Sequence, residues 1–250
     1  TVQSELPIVV NKSPNDERDY AAVTLDNGLK VLMVSDPATE KSAAALSVGV
    51  GAFSDPMDFQ GMAHYLEHML FMGSESFPEP DGYMNFAAEN GGSSNAYTSS
   101  EITNYMITIE NDAFPEALHR LSEFFSAPIL DPGYIQKEKN AVNAEWSMRR
   151  ESEGRSIYRL QRALLGEHPA NRFTIGNLET LADKSNRELH PATIAFFEKY
   201  YSANLMSLVL ISPLSAAEMA VLAEQHFSLI PNKNVEKPVV TTEVSFDDVA

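Results

Sequence analysis

Three residues within a five-residue stretch carry side chains that can bind a metal ion and activate water. They are His64, Glu67 and His68, in the segment His-Tyr-Leu-Glu-His. On an α-helix, residues four apart are displaced by about 40° and ~6 Å, so both imidazoles project from one face toward one point. Neutral imidazoles at that spacing suit tetrahedral zinc, and a carboxylate beside them can accept a proton from water on the metal. The pattern predicts a hydrolytic metal site in which Glu67 is the general base.

A zinc site of this kind needs a third protein ligand, and a predicted long helix carries two candidates, Glu138 and Glu145. Seven residues correspond to nearly two full turns, so both carboxylates share a face, yet they lie about 10 Å apart along the axis. One is expected to bind the metal and the other at most to orient a histidine. Spacing alone leaves open which is which. The chain has no Cys, so only His, Asp and Glu can hold a metal, and these donors also accommodate cobalt or manganese.

The other four histidines have no partner at ligand spacing, and we interpret them as surface or capping residues: His119, His168, His190 and His226. Isolated surface histidines near a glutamate are also the simplest alternative for His64 and His68, because six His and 35 acidic residues make chance matches to a short motif common. The flanking sequence therefore has to decide between the two interpretations.

Periodicity and turn residues predict the elements that position the site. Asn27-Gly28 is a strong hairpin signal within residues 21–36. Further strands are predicted at 43–53, 94–99, 104–110, 205–211 and 239–246. Helices are predicted at 61–72, 81–89, 112–126, 131–151, 156–165, 178–182, 191–201 and 215–227. This order favours an α+β fold, a two-layer sandwich of a mostly antiparallel sheet with helices packed on it.

Composition excludes several classes of partner. The 250 residues carry a net charge of −17, which argues against nucleic acid and against an anionic membrane surface, since both require clustered Lys and Arg. No run approaches the roughly 18 apolar residues of a membrane span, and residues 1–6 lack the pattern of a signal peptide. We therefore expect a chain that binds neither nucleic acid nor membrane.

Three motifs in a fixed order resemble the pitrilysin and insulin-degrading enzyme family of inverzincin metallopeptidases. They are HYLEHMLFMG at 64–73, GGSSNAYT at 91–98 and EKNAVNAE at 138–145. The motif H-x-x-E-H is itself the inverzincin signature. The likeness extends from LDNG at 25–28 to YYSANLM at 200–206, and so covers most of the chain.

The resemblance implies a role for each residue of the motifs. His64, His68 and Glu145 would be the zinc ligands and Glu67 the general base. Glu138 would be the family's second, non-ligand glutamate on the same helix. The chain would accordingly be a zinc endopeptidase that cleaves enclosed peptides with loose side-chain preference.

The resemblance also implies a place for the substrate. Residues 94–98 match the edge strand on which a peptide is laid by backbone pairing, which fits the unpaired N–H and C=O groups that an edge offers. Asn95 and Ala96 would bind through their main chains. Phe71 and Tyr97 match positions beside the scissile bond, although both are equally compatible with ordinary core packing.

Members of this family resemble a clamshell of four related domains in two homologous halves. Residues 1–230 would match the first domain, and residues 231–250 would be a linker and strand toward the next. The homologous C-terminal half would complete the site, so the 250-residue chain alone is expected to have reduced activity or none. The resemblance implies a periplasmic location if the source is bacterial.

Two alternatives come from other functional classes. The first is a non-catalytic scaffold or peptide-binding subunit of the same fold, against which all the expected catalytic residues are present. The second is an S-ribosylhomocysteine lyase, which has the same short motif but also uses cysteine. The absence of Cys excludes that second alternative.

Overall fold

The computed structural model describes residues 10–243, apart from the side chains of Glu153, Gln161 and Ala163. The strands are β1 Asp19–Thr24, β2 Lys30–Ser35, β3 Lys41–Val48, β4 Ser93–Thr98, β5 Thr103–Glu110 and β6 Met206–Ser212. The helices are α1 Met62–Leu70, α2 Gly82–Glu89, α3 Phe114–Ser126, α4 Ile135–Arg149, α5 Glu153–Ala163, α6 Leu189–Tyr200 and α7 Ala216–Phe227. The predicted α+β fold is confirmed.

The six strands form one mixed sheet in the order β1-β2-β6-β3-β5-β4. All neighbours pair antiparallel except β2 and β6, which are parallel. Strand β6, late in the chain, lies between β2 and β3, whereas β4 lies at an edge of the sheet. The edge position of β4 leaves one side of its backbone without a strand partner among residues 10–243.

The face of the sheet that packs against helices is apolar. Strand β3 buries alternate residues, as the period of two requires, and the side chains of β5 that lie beside them are also buried. Helices α1, α2 and α3 contact β5, while α7 contacts β1 and β2. Helix α4 packs against α1 rather than forming a main contact with the sheet. The helix with the histidine motif therefore lies between the sheet edge and the helix with the two glutamates.

An aromatic cluster fills the core beneath the end of α1. Phe71 packs edge-on against Phe124 with ring centroids 5.0 Å apart, and Tyr83 lies 4.9 Å from the same ring. Tyr105 on β5 is 1% exposed, and its hydroxyl shares a hydrogen bond of 2.8 Å with that of Tyr201. The cluster anchors the C-terminal end of α1 on the sheet, because aromatic pairs combine a large buried area with a preferred geometry.

Two predicted elements are wrong. Residues 178–182 form a single turn: the Asn177 side chain accepts hydrogen bonds from the N–H groups of Glu179 and Thr180, as at the start of a helix, but the chain leaves the helical path after one turn and enters the bridge between Lys184 and Arg187. The predicted strand 239–246 has no regular structure over 239–243, where the chain passes beside Gly49 and Phe53. Its remaining residues lie outside the described part.

Most other boundaries agree with the predictions to within a few residues. The third strand ends at Val48 instead of residue 53, since a 3₁₀ turn follows at 52–54. The long helix begins at Ile135, after a 3₁₀ turn at 132–134. Within residues 10–243, none of the helices combines the length and apolar character needed to cross a membrane.

Candidate metal centre

The N-terminus of α1 is held by a buried carboxylate. Asp55 is 2% exposed and accepts hydrogen bonds from the backbone N–H groups of Gly61 (2.7 Å) and Ala63 (2.9 Å). Burial raises the pKa of Asp55 to about 7, although these two bonds lower it. The carboxylate thus satisfies free N–H groups at the start of the helix that carries the histidines.

Both histidines of α1 use Nδ1 for a hydrogen bond within the protein. Nδ1 of His64 lies 2.7 Å from the carbonyl oxygen of Ile175, and Nδ1 of His68 lies 3.2 Å from Oε2 of Glu138. A carbonyl oxygen can only accept, so Nδ1 of His64 must carry the proton. In neutral His64 this leaves the Nε2 lone pair free for a metal. In neutral His68, the carboxylate of Glu138 likewise favours a proton on Nδ1 and a free lone pair on Nε2.

The free nitrogens converge on one carboxylate. Nε2 of His64 lies 3.6 Å from Oε2 of Glu145, and Nε2 of His68 lies 3.4 Å from Oε1 of the same group. Ligand atoms of these three residues lie within 4.8 Å of one another. Two imidazole nitrogens and one carboxylate form a donor set that zinc accepts with a fourth position left for water.

The pKa values in this cluster of histidines and glutamates show that His68 and its carboxylate neighbours stabilise each other's charged forms. Burial lowers the pKa of His68, but hydrogen bonds to Glu138 and Glu145 outweigh it and raise that pKa to about 9. The hydrogen bond to His68 correspondingly lowers the pKa of Glu145. For His64, burial lowers the pKa and the neighbouring His68 adds to the effect. Without metal, a proton on His68 therefore balances the nearby carboxylates.

Glu67 lies on the side of α1 that faces the sheet edge. The residue is 7% exposed, and its carboxylate accepts a hydrogen bond of 2.5 Å from the hydroxyl of Thr98, the last residue of β4. Burial raises the pKa of Glu67 to about 7, and the bond from Thr98 opposes that rise. A carboxyl group whose pKa lies near neutrality suits proton transfer at neutral pH.

A cleft of about 210 Å³ opens between α1, α4 and the sheet edge. Its lining includes Glu67, His68, Phe71, Met72, Asp81, Met84, Asn95, Ala96, Glu138 and Glu145. Phe71 lines the cleft and also belongs to the aromatic core. Tyr97 does not line the cleft, and its side chain is 46% exposed.

Three features of the site escaped sequence reasoning. The Thr98 hydroxyl could have been noticed, because Thr98 and Ala96 share a face of the predicted edge strand. No sequence pattern links Asp55 to a helix that begins seven residues later. The Ile175 contact uses a backbone carbonyl, which carries no signal in the residue type.

The four other histidines lie away from this centre. Nδ1 of His168 accepts from the N–H of Ala170 and caps a short 3₁₀ turn, while Nε2 of His190 lies 2.8 Å from the carbonyl of Leu130. His119 and His226 stack on each other between α3 and α7, with centroids 5.1 Å apart. None of them belongs to the three-residue donor set.

The sequence and fold of this chain are similar to those of several proteases. It is 44% identical to Protease 3 of Escherichia coli (strain K12) over 239 residues, 95% of this chain and 25% of that protein. It is 38% identical to insulin-degrading enzyme of Mus musculus over 231 residues, 91% of this chain and 23% of that protein. The crystal structure of pitrilysin matches with a TM-score of 0.94 at 42% identity, over 98% of this chain and 26% of that one. The chain thus spans about a quarter of the length of these relatives.

Family models match two parts of the sequence. Residues 192–247 match the model described as peptidase M16 inactive domain. Residues 30–168, more than half of the chain and including every residue of the donor set, match the model described as insulinase (peptidase family M16). The chain belongs to the insulinase family of M16 peptidases.

Proposed function

We propose that this chain is the zinc-binding domain of an endopeptidase. The observation that carries the proposal is the convergence of two histidine Nε2 atoms on the Glu145 carboxylate, with both Nδ1 atoms engaged elsewhere. His64, His68 and Glu145 would hold the ion, and the donor set fits zinc. Bound zinc would lower the pKa of water and polarise the peptide carbonyl.

Each remaining residue of the site has a proposed task. Glu67 accepts a proton from the attacking water and delivers it to the leaving amine, and Thr98 holds its carboxylate. Glu138 orients His68 through Nδ1. The substrate backbone pairs with the free side of β4 along Asn95 and Ala96, which brings the peptide bond beside the cleft.

We further propose that a homologous C-terminal half of the polypeptide covers one face of this domain. Helix α5 and the turn after it expose an apolar stripe: Ile157 and Leu160 on α5 are 52% and 69% exposed, and Leu164, just beyond the helix, is 44% exposed. Arg155 on α5 instead faces the protein and lies over the rings of Trp146 and Tyr158. Such an outward apolar face supports a covering homologous half, in keeping with relatives about four times as long. Residues 1–230 would be the first of four domains, and residues 231–250 would lead to the next. The periplasmic location stays a prediction.

The test is hydrolysis of internally quenched peptides by the zinc-loaded full-length protein, because the 250-residue chain alone is expected to have reduced activity or none. We expect a zinc-dependent rate that Glu67→Gln abolishes while zinc content stays unchanged. Glu89→Gln, at an exposed position of α2, is the matched control and should leave the rate unchanged. If the chain binds peptides but Glu67→Gln and wild type behave alike in every assay, the peptide-binding scaffold becomes the better account.

A further inference from the structure

The segment of residues 172–178, here called the bridging segment, contacts both helices that carry the donor set. Toward α1, the Arg172 guanidinium donates to the carbonyls of Phe53 and Asp55, and the N–H of Phe173 donates to Oε1 of Gln60 at 2.6 Å. Because residues 172–178 are neither helix nor strand, contacts of this kind set their position.

Toward α4, the bridging segment meets residues next to Glu145. The Phe173 ring packs edge-on against Trp146 with centroids 4.8 Å apart. The N–H of Leu178 donates to Oδ1 of Asn143 at 3.3 Å. The segment thus joins the two helices at the level of the metal ligands.

Two glycines meet at the centre of this contact. Gly61, with φ +95°, precedes α1, and Gly176, with φ +86°, follows Ile175. A Cβ on Gly61 would lie 2.3 Å from Cα of Gly176. This distance is too short for two carbon atoms, so any side chain at position 61 would displace the backbone. A Cβ on Gly176 would lie 3.1 Å from the Leu181 side chain and 3.2 Å from the Val142 side chain on α4, both tight contacts, but at an ordinary contact distance of 3.4 Å from Cα of Gly61. Together with the positive φ, these two contacts would displace residue 176, though less than a Cβ on Gly61 would.

The close approach of the two glycines decides where the Ile175 carbonyl lies. Ile175 is buried, and its carbonyl oxygen accepts from Nδ1 of His64 at 2.7 Å. Moving the bridging segment away from α1 would lengthen this bond. His64 would then lose the partner that keeps its proton on Nδ1 and its Nε2 free.

We propose that Gly61 and Gly176 are positioning residues of the metal centre: their backbone contact places the Ile175 carbonyl on His64 and so fixes the tautomer and ring orientation of that ligand. The inference rests on the proposed function for its metal. Its structural part, the His64–Ile175 bond, exists in the metal-free protein and can be tested there.

The test compares Gly61→Ala, Gly176→Ala and Gly166→Ala in the 250-residue chain. Gly166 is the matched control, because it also has a positive φ, +52°, but a Cβ there would meet nothing within 4 Å. Zinc affinity is measured by competition with a chelator, and the His64 tautomer by ¹⁵N NMR of the metal-free chain at pH 8. Circular dichroism shows which variants are folded.

We expect both site variants to bind zinc about 10- to 100-fold more weakly than wild type, as is typical when a ligand loses its supporting partner, and the control to bind within about twofold of wild type. In wild type His64 should carry its proton on Nδ1, and in the site variants this preference should weaken. Equal zinc affinity in Gly176→Ala and wild type would overturn the proposal, and so would an equal loss in Gly166→Ala.

The tautomer measurement on wild type remains decisive even where Gly61→Ala fails to fold. A wild-type His64 that is protonated on Nε2 contradicts the inference. If wild type shows the expected tautomer but binds no zinc, the proposed function fails, and the tautomer of His64 in folded Gly176→Ala then decides the role of the glycines: an unchanged preference for Nδ1 would overturn it.

Discussion

The buried carboxylate of Asp55 gives the chain a specific dependence of stability on pH. Asp55→Asn retains the shape of the side chain but removes its ability to ionise. The Asn oxygen can accept from only one of the two N–H groups at Gly61 and Ala63, and its amide group then opposes the other. An unpaired buried donor costs about 1–3 kcal/mol, so the variant should be less stable than wild type at pH 5.

The difference should shrink as pH rises. Burial raises the folded-state pKa of Asp55 to about 7 from an ordinary value of 3.8, so the folded protein binds this proton more tightly than the unfolded chain does. The resulting stabilisation is complete below pH ~4 and is lost as pH rises through 7. Between pH 5 and pH 8 wild type should lose about 3 kcal/mol that Asp55→Asn retains.

The assay is urea unfolding of the metal-free proteins at pH 5, 6, 7 and 8, with the free energy of unfolding compared between wild type and variant at each pH. Asp58→Asn is the control, since its exposed side chain should give a small, nearly constant difference. If the wild-type advantage stays constant or grows toward pH 8, Asp55 is ionised throughout, and the argument that burial dominates its pKa is refuted.

Two further predictions concern the cleft. Thr98→Val removes the hydroxyl that donates to Glu67, a loss of about 1.5–3 kcal/mol for a bond to a charged group, and should lower kcat/KM of the full-length protein for peptides at least about tenfold. Zinc content should not change, and Thr98→Ser should restore most activity; equal defects in both variants would contradict this role. Phe71→Ala should lower the free energy of unfolding by about 3–5 kcal/mol, because the ring fills the core beneath α1. A loss below about 1 kcal/mol in urea titration would show that the core collapses around the gap.

The sequence predicted the elements whose signals are local. Asn27-Gly28 places the first hairpin turn, and helix periodicity places α1 with its histidines on one side. The insertion of β6 between β2 and β3 could not be predicted, because strand order depends on long-range pairing that no local pattern encodes. The turn at 178–182 begins as a helix does, with Asn177 capping its first N–H groups, but it ends after one turn, before the bridge between Lys184 and Arg187, and no local pattern indicates that end.

The same distinction holds for the site. The spacing of His64 and His68 was enough to predict that the two imidazoles share a face, and the spacing of Glu138 and Glu145 was enough to predict that only one can join them. The structure brings Glu145 to the two Nε2 atoms and Glu138 to Nδ1 of His68. Contacts made by backbone atoms, such as the Ile175 carbonyl, depend on how loops pack. They could not be predicted from the sequence, because every residue type has the same backbone carbonyl.

The central claim is that His64, His68 and Glu145 bind one zinc ion while Glu138 supports them. The most direct test is zinc per chain after saturation and dialysis, for wild type, Glu145→Gln and Glu138→Gln. We expect close to one zinc in wild type, loss of zinc in Glu145→Gln, and zinc binding in Glu138→Gln that is about 10- to 100-fold weaker but still present. A wild-type chain without zinc, or loss of zinc in Glu138→Gln with retention in Glu145→Gln, would contradict it.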